Sequence, residues 1–365
     1  MSEYNIDKLS KQHASLTVSA RDWKDGILIR SPNWLGDAIM ALPAIYSLYK
    51  MKPKNCGLFI AAPDNLVPLF NSFQFIDHIL PLGSGHSSWS RDTLEKAIKL
   101  NAGIGFLFVN SLRSAYYFKK AHIKKVFGAS NGIRNFLLKK SFKINWHTAK
   151  EYAEIHQSYK YLSMVYALGA QKWDGHYPEF NLLNESDISI EGLSSFLNSK
   201  NIMVVSPGAA YGPSKRWNLS NYESVCRAWI QDYKGKIIIT GASKEIEDSN
   251  KLSANLDLEN VMNVTGKTTL EELIYILKKS TVCISNDSGT MHLGSALDIK
   301  GIVIFGSTDP YSTGPLSNNW KVLLKKQPCS PCFSRECINS ENNYNCLKAI
   351  KVGQVLKAVD DLLKK

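Results

Sequence analysis

Short β-branched runs alternate with amphipathic stretches along this chain, and most runs end in a turn of Gly, Ser, Pro, Asn or Asp. A parallel strand needs a crossover, usually a helix, before its neighbour can form, so this alternation specifies parallel βα units. The pattern occurs as two series. In the first, Gly26–Arg30 reads as a buried strand, followed by a turn and a helix from about Asp37 to Lys50. Further strands are expected at Gly57–Ala61, Ile104–Val109 and Lys125–Gly128, and a helical stretch from about Tyr152 to Leu168 closes the series. The second opens with Ile202–Val205 and continues with Lys236–Thr240, Val261–Val264, Val282–Ser285 and Gly301–Phe305. Within it, Leu270, Leu273, Ile274 and Leu277 share one face of a helix expected over Thr268–Lys279.

A chain of 365 residues is long for one domain and suited to two. The reading is an irregular extension (1–25), a first Rossmann-like domain (26–175), a linker with a small helix (176–200), a second Rossmann-like domain (201–350) and a terminal helix (351–365). The expected class is therefore α/β, two Rossmann-like domains facing each other across a cleft. Ligands of open α/β sheets bind beyond the carboxyl ends of the strands, so residues just after strands deserve the most weight.

With 44% hydrophobic and 21% charged residues, the composition is that of a protein with packed cores. No run reaches the roughly 18 to 20 apolar residues of a membrane span, and the first 25 residues lack an apolar signal region. A cytoplasmic location is expected. The net charge of +12 suits a polyanionic partner, whether nucleic acid, acidic lipid or phosphorylated glycan, and a merely solvated basic surface would account for it equally well. Lys119-Lys120, Lys124-Lys125 and Lys139-Lys140 all lie in the first half, which assigns the anionic partner to that half. No nucleic-acid module signature is present, and Ser31-Pro32-Asn33-Trp34 after the first strand is no dinucleotide-binding Gly-x-Gly-x-x-Gly turn.

Three post-strand turns carry the chemistry. Gly36 and Asp37 follow the first strand; Asp37 reads as a helix cap or as a carboxylate able to take a proton from an acceptor hydroxyl. Gly208, Ala209 and Gly212, with Lys215 and Arg216, form a loop that could bring backbone amides and fixed positive charge to a diphosphate. A solvated turn has the same composition, and the Gly-Lys-Ser/Thr ending of a P-loop is absent. In Asn286-Asp287-Ser288-Gly289-Thr290-Met291-His292, small residues would let a helix N-terminus face a phosphate. Asp287 could bond sugar hydroxyls, and His292 reads as a contact or as an ordinary helix histidine. The turn Gly306-Ser307-Thr308-Asp309 offers a further phosphate or ribose contact.

Together these segments, from Ile29 through Ala44, Pro207 through Trp217 and Asn286 through His292, resemble glycosyltransferase family 9, the ADP-heptose:lipopolysaccharide heptosyltransferases. The resemblance runs in order over about residues 26–350. It implies a GT-B fold, with acceptor held by the first domain, near Asn33 and Trp34, and ADP-heptose by the second. It also implies an inverting transfer without a bound metal, from ADP-L-glycero-D-manno-heptose to a heptose of the anionic lipopolysaccharide core, at or near the inner-membrane surface. Asp37 falls on the family's proposed general base and Lys215 on the lysine that neutralises the donor diphosphate. Asp287 falls on the residue proposed to hold the heptose hydroxyls, and Ser288, Gly289 and His292 on the diphosphate turn. The family pattern has Glu after Pro-Gly-Ala, where this chain has Ala210. A transferase using another nucleotide sugar, or a non-catalytic binding protein of the same fold, is the alternative.

Seven cysteines complete the reading. Cys56, Cys226 and Cys283 fall in expected elements and read as buried thiols. Cys329, Cys332, Cys337 and Cys346 have a spacing that could hold a structural zinc or, less readily in a reducing compartment, a disulfide.

Overall fold

The computed structural model describes residues 18–84, 88–144, 155–341 and 343–364. Most of the expected extension and the start of the helix expected at Tyr152 lie outside the described residues. The chain separates into two units, Met1–Asn181 and Leu182–Lys365.

The first unit contains β1 (Gly26–Arg30), α1 (Leu35–Met51), β2 (Gly57–Ala62), β3 (His78–Pro81), α2 (Arg91–Lys99), β4 (Ile104–Leu107), α3 (Leu112–Lys120), β5 (Lys125–Ala129), β6 (Lys140–Phe142) and α4 (Gln157–Tyr166). The second has β7 (Ile202–Ser206), α5 (Leu219–Asp232), β8 (Lys236–Ile239), α6 (Ile246–Ala254), β9 (Val261–Asn263), α7 (Leu270–Lys279), β10 (Val282–Asn286), α8 (Gly289–Ala296), β11 (Gly301–Phe305), β12 (Trp320–Leu324) and α9 (Val352–Leu363), with short helical turns between. Both sheets have six strands and every pairing in them is parallel. Their orders, β3-β2-β1-β4-β5-β6 and β9-β8-β7-β10-β11-β12, are the same topology used twice. It is the strand order of dinucleotide-binding folds. The direction of winding reverses between β1 and β4 in one sheet and between β7 and β10 in the other, and a ligand crevice opens at such a switch point.

The expected strands appear because their apolar runs are buried on both faces, as parallel sheets require. In the second unit Met203, Val205, Ile237, Ile239, Ile284 and Ile302 pack with Val225, Trp229, Val355 and Val359 of α5 and α9. Val204, Ile238, Cys283 and Val303, which alternate with them, are equally buried. Residues 182–200 belong to this unit and contain the small helix Leu193–Leu197; Ser189 donates to Glu272 of α7 from its amide (2.8 Å) and hydroxyl (2.7 Å). Cys56, Cys226 and Cys283 are buried free thiols. No helix among the described residues is long and apolar enough to cross a membrane.

The edge strand β12 is seated by two glycines. A Cβ at Gly294 would stand 2.6 Å, and one at Gly301 2.4 Å, from ring carbons of the buried Trp320. Gly301→Ala should therefore cost about 1–3 kcal/mol through overpacking, read as a lower denaturant midpoint of the second unit. An unchanged midpoint would show that the indole can move aside.

Candidate active site

In the first unit, β1 carries Arg30 at its carboxyl end, directly at the switch point. The guanidinium is 1% exposed and donates to the Ser31 carbonyl (2.6 Å) and the Asn33 side-chain carbonyl (2.5 Å). Burial lowers its pKa to about 10, which leaves it cationic at neutral pH. Asn33 is thereby fixed, and both residues line a cavity of about 800 Å³ together with Trp89, Ser111, Arg113 and Tyr116. Asp37 and Trp34 are not among its described wall residues. Trp34, 59% exposed, is the extended residue that precedes α1.

Helix α1 begins two residues earlier than the sequence suggested, so Asp37 is its third residue and not its cap. The half-buried carboxylate accepts a hydrogen bond from Nε2 of Gln157 on α4. The same Nε2 lies 3.0 Å from the Tyr161 hydroxyl, whose pKa is pushed up by burial and then by the negative charge of Asp37. Asp37 therefore sits at the positive end of a helix, where a carboxylate is favoured, with its rotamer tied to a second helix.

In the second unit the switch point collects Lys215, Asp287, Ser288 and His292. Lys215 Nζ stands 2.5 Å from Asp287 Oδ2, with side chains 13% and 3% exposed, and Thr308 Oγ1 donates to the same oxygen at 2.5 Å. The ammonium also lies 4.9 Å from the Tyr211 ring centre. Ser288 immediately precedes α8, and its buried hydroxyl oxygen has no hydrogen-bond partner among the described residues. The first amides of a helix have no intrahelical acceptor, so an anion placed here meets Ser288, the α8 N-terminus and Lys215 together.

Asn286 underpins the site. Its amide oxygen accepts from the Trp217 amide (3.1 Å) and the Tyr222 hydroxyl (2.9 Å), while its nitrogen donates to the carbonyls of Pro207 (2.6 Å) and Gly208 (3.3 Å). One side chain thus joins both sides of the switch point. In the sequence Asn286 is only the first residue of a post-strand turn, with no local sign of this task.

The fold adds detail to four of the expected donor residues. Arg216 donates to the Ala209 carbonyl (3.2 Å and 3.3 Å) and pairs with Asp248 at 3.3 Å. Gly208 is glycine for a packing reason, since a Cβ there would come within 2.0 Å of the Glu245 carboxylate. Ala209 is buried and enters through its carbonyl. His292 is not a cation, because burial lowers its pKa to about 4 despite the neighbouring Asp287 charge. Gly289 opens α8 as expected. Arg113, Trp89, Gln157 and Thr308 come from separate elements, and only the fold brings them to their sites.

The cysteine-rich segment braces the Lys215 loop. Ser214 donates from its amide to the Arg335 carbonyl (3.1 Å) and from its hydroxyl to the Ser334 carbonyl (2.5 Å), and Tyr211 donates to the Phe333 carbonyl (2.5 Å). Gly212 is required there, because a Cβ would meet the Arg335 carbonyl at 2.6 Å. Cys329, Cys332, Cys337 and Cys346 are unpaired and line a small cavity of about 200 Å³. Among the described residues, no set of three or more His, Cys, Asp or Glu is gathered closely enough to hold a metal ion.

Two Rossmann-like units, each with polar residues at its switch point, are the architecture of the GT-B fold. The solved E. coli ADP-heptose lps heptosyltransferase II superposes with a TM-score of 0.73 at 22% identity, covering 92% of this chain and 98% of that one. A glycosyl transferase family 9 structure from Veillonella parvula gives 0.78 at 20% identity, covering 96% and 99%. Residues 91–343 match glycosyltransferase family 9 (heptosyltransferase), and the chain belongs to that family. It is 28% identical to lipooligosaccharide heptosyltransferase 2 of Campylobacter jejuni over 342 residues, 93% of this chain and 98% of the relative.

The buried neutral His292 has a measurable consequence. Below pH 6.5 the unfolded imidazole takes up a proton that the folded one refuses until about pH 4. Stability is therefore lost as pH falls through this window. His292→Gln removes that contribution, so its denaturant midpoint should fall less steeply between pH 6.5 and 4 than that of the parent; parallel curves would contradict the burial argument.

Proposed function

We propose that this glycosyltransferase moves heptose from ADP-L-glycero-D-manno-heptose to a heptose of the lipopolysaccharide inner core, as a heptosyltransferase II. The observation that carries the reading is the near full-length similarity to proteins named heptosyltransferase 2, in a chain that places Lys215, Asp287 and a helix N-terminus at one switch point. A cytoplasmic enzyme working on an anionic glycolipid fits the basic charge.

The chemistry assigned to each unit follows from its groups. Asp37 accepts the proton of the acceptor hydroxyl, and the oxygen forms a bond to the anomeric carbon from the face opposite ADP. The bond from that carbon to the diphosphate oxygen breaks, and the electron pair leaves with ADP. Inversion follows from the single in-line displacement. Lys215, the Ser288 hydroxyl and the first amides of α8 take up the charge that grows on the diphosphate, a task a metal performs in other transferases. No metal is needed in this scheme. Because Lys215 is paired with Asp287, donor binding exchanges one anion for another at the ammonium and releases Asp287 to the heptose hydroxyls. His292, neutral, contributes as a hydrogen-bonding group. Gln157 is a positioning residue that holds the Asp37 carboxylate. Arg30, Asn33 and Arg113 would bind the acceptor's anionic sugars in the first unit's cavity, with the exposed Trp34 one residue beyond Asn33.

Purified protein supplied with ADP-heptose should release ADP in the presence of truncated lipopolysaccharides that bear a core heptose and not with those that lack it. Absence of transfer to every heptose-bearing acceptor contradicts the reading. Asp37→Asn should reduce turnover by about 10²- to 10⁴-fold, the usual worth of a general base, while donor affinity stays the same. An equal loss of donor binding would make Asp37 structural.

A further inference from the structure

Between Glu95 and Glu151 the chain has twelve lysines and arginines and not one aspartate or glutamate. That number equals the entire formal excess of +12. The stretch includes α3 and the helical turn Gly132–Leu137 that packs against it. In that turn the ordinary distribution of residues is inverted. Arg134 is 1% exposed, while its neighbours Ile133 and Phe136 are 73% and 84% exposed, and Phe136 is the most exposed large hydrophobic side chain among the described residues.

The exposure is built into the turn. Arg134 Nη1 donates to the Val109 carbonyl at 2.6 Å, and Gly128 leaves room for Nη2, which a Cβ would approach to 2.4 Å. Asn135 accepts from the Asn131 amide (3.1 Å) and donates to the Ser130 hydroxyl (2.9 Å), and Asn131 donates to the Asn110 carbonyl (2.9 Å). Held from beneath in this way, Ile133 and Phe136 are directed outward. Leu112 and Tyr116 on α3, 50% and 44% exposed, extend the apolar surface. Lysines lie on its α3 side and along the chain after it: Lys120 lies 5.1 Å from the Tyr116 ring centre, and Lys139 is close enough to Lys119 to lower its pKa, after burial.

We propose that this face of the first unit docks on an anionic phospholipid bilayer, with Phe136 and Ile133 entering the interface and the lysines meeting the headgroups. An apolar tip in a stretch rich in lysine is the chemistry of an interfacial anchor. Two copies of so basic a face would repel each other. Nucleic acid would satisfy the charge but offers no apolar phase for Ile133. Leu112 and Tyr116 also line the 800 Å³ cavity, so docking brings the cavity's rim to the level at which a glycolipid presents its sugars. This last step builds on the proposed acceptor; membrane binding itself does not.

The test is co-sedimentation of the full chain with vesicles, without donor or acceptor, so that its outcome is independent of heptosyl transfer. Vesicles of phosphatidylcholine are compared with equal mixtures of phosphatidylcholine and phosphatidylglycerol. Binding is expected only to the mixed vesicles and should weaken as salt rises. The double variant Ile133→Ser, Phe136→Ser should bind the mixed vesicles at least tenfold more weakly, with an unchanged unfolding midpoint and unchanged turnover on a lipid-free acceptor. Charge reversal at Lys120 and Lys139 should lose at least as much, since each cation near an anionic surface is worth roughly fivefold. Equal binding to both vesicle types, full binding by the serine variant, or a wild-type dimer that the serine variant abolishes would overturn the proposal; the last would make a second copy the occupant.

Discussion

Lys215 and Asp287 form an ion pair at the carboxyl ends of the central strands of the second sheet, almost removed from solvent. Such a pair is poor value for stability alone, because desolvating both charges offsets most of their attraction. Its surroundings are nevertheless organised around it. Thr308 holds the carboxylate, Tyr211 lies by the ammonium, and the neutral His292 and unpartnered Ser288 complete the wall. The arrangement stores a cation and a carboxylate side by side in a low-dielectric pocket. A diphosphate sugar needs both, one for its leaving group and one for its hydroxyls. In the proposed scheme the ion pair keeps each neutralised until the donor arrives.

The rest of the second unit serves to hold this pair. Asn286 joins the ends of β7 and β10, while the cysteine-rich segment grips the Lys215 loop through backbone carbonyls of Phe333, Ser334 and Arg335. In the first unit a similar economy applies. A buried arginine ends β1, an asparagine is fixed by it, and Asp37 is tied to α4. In each case the informative residue follows a central strand, where repeated right-handed βα winding leaves a crevice.

Much of the fold was legible because central parallel strands are apolar on both faces. Gly26–Arg30 and Gly301–Phe305 agree to the residue with the runs that announced them. The edge strands His78–Pro81, Lys140–Phe142 and Trp320–Leu324 were not anticipated, since each is partly exposed and carries at most a short apolar run. The site was legible as separate turns only. That Lys215 meets Asp287 depends on two strands becoming neighbours, which no local pattern reveals. Arg30 did carry a local signal, a charge ending an otherwise apolar strand. Arg216 carried no local sign of its partner: Asp248 comes from α6, so that ion pair emerges only in the fold.

The proposed exchange of anions at Lys215 would make the two partners behave differently toward ADP, and calorimetric titration of ADP into single variants measures this directly. Lys215→Met should weaken ADP by tenfold or more, the order expected for one buried charge-assisted contact. Asp287→Asn should bind ADP as tightly as the parent or more tightly, because it removes the carboxylate that competes for the ammonium. If both substitutions weaken ADP to the same extent, the pair is a structural unit and the donor site lies elsewhere.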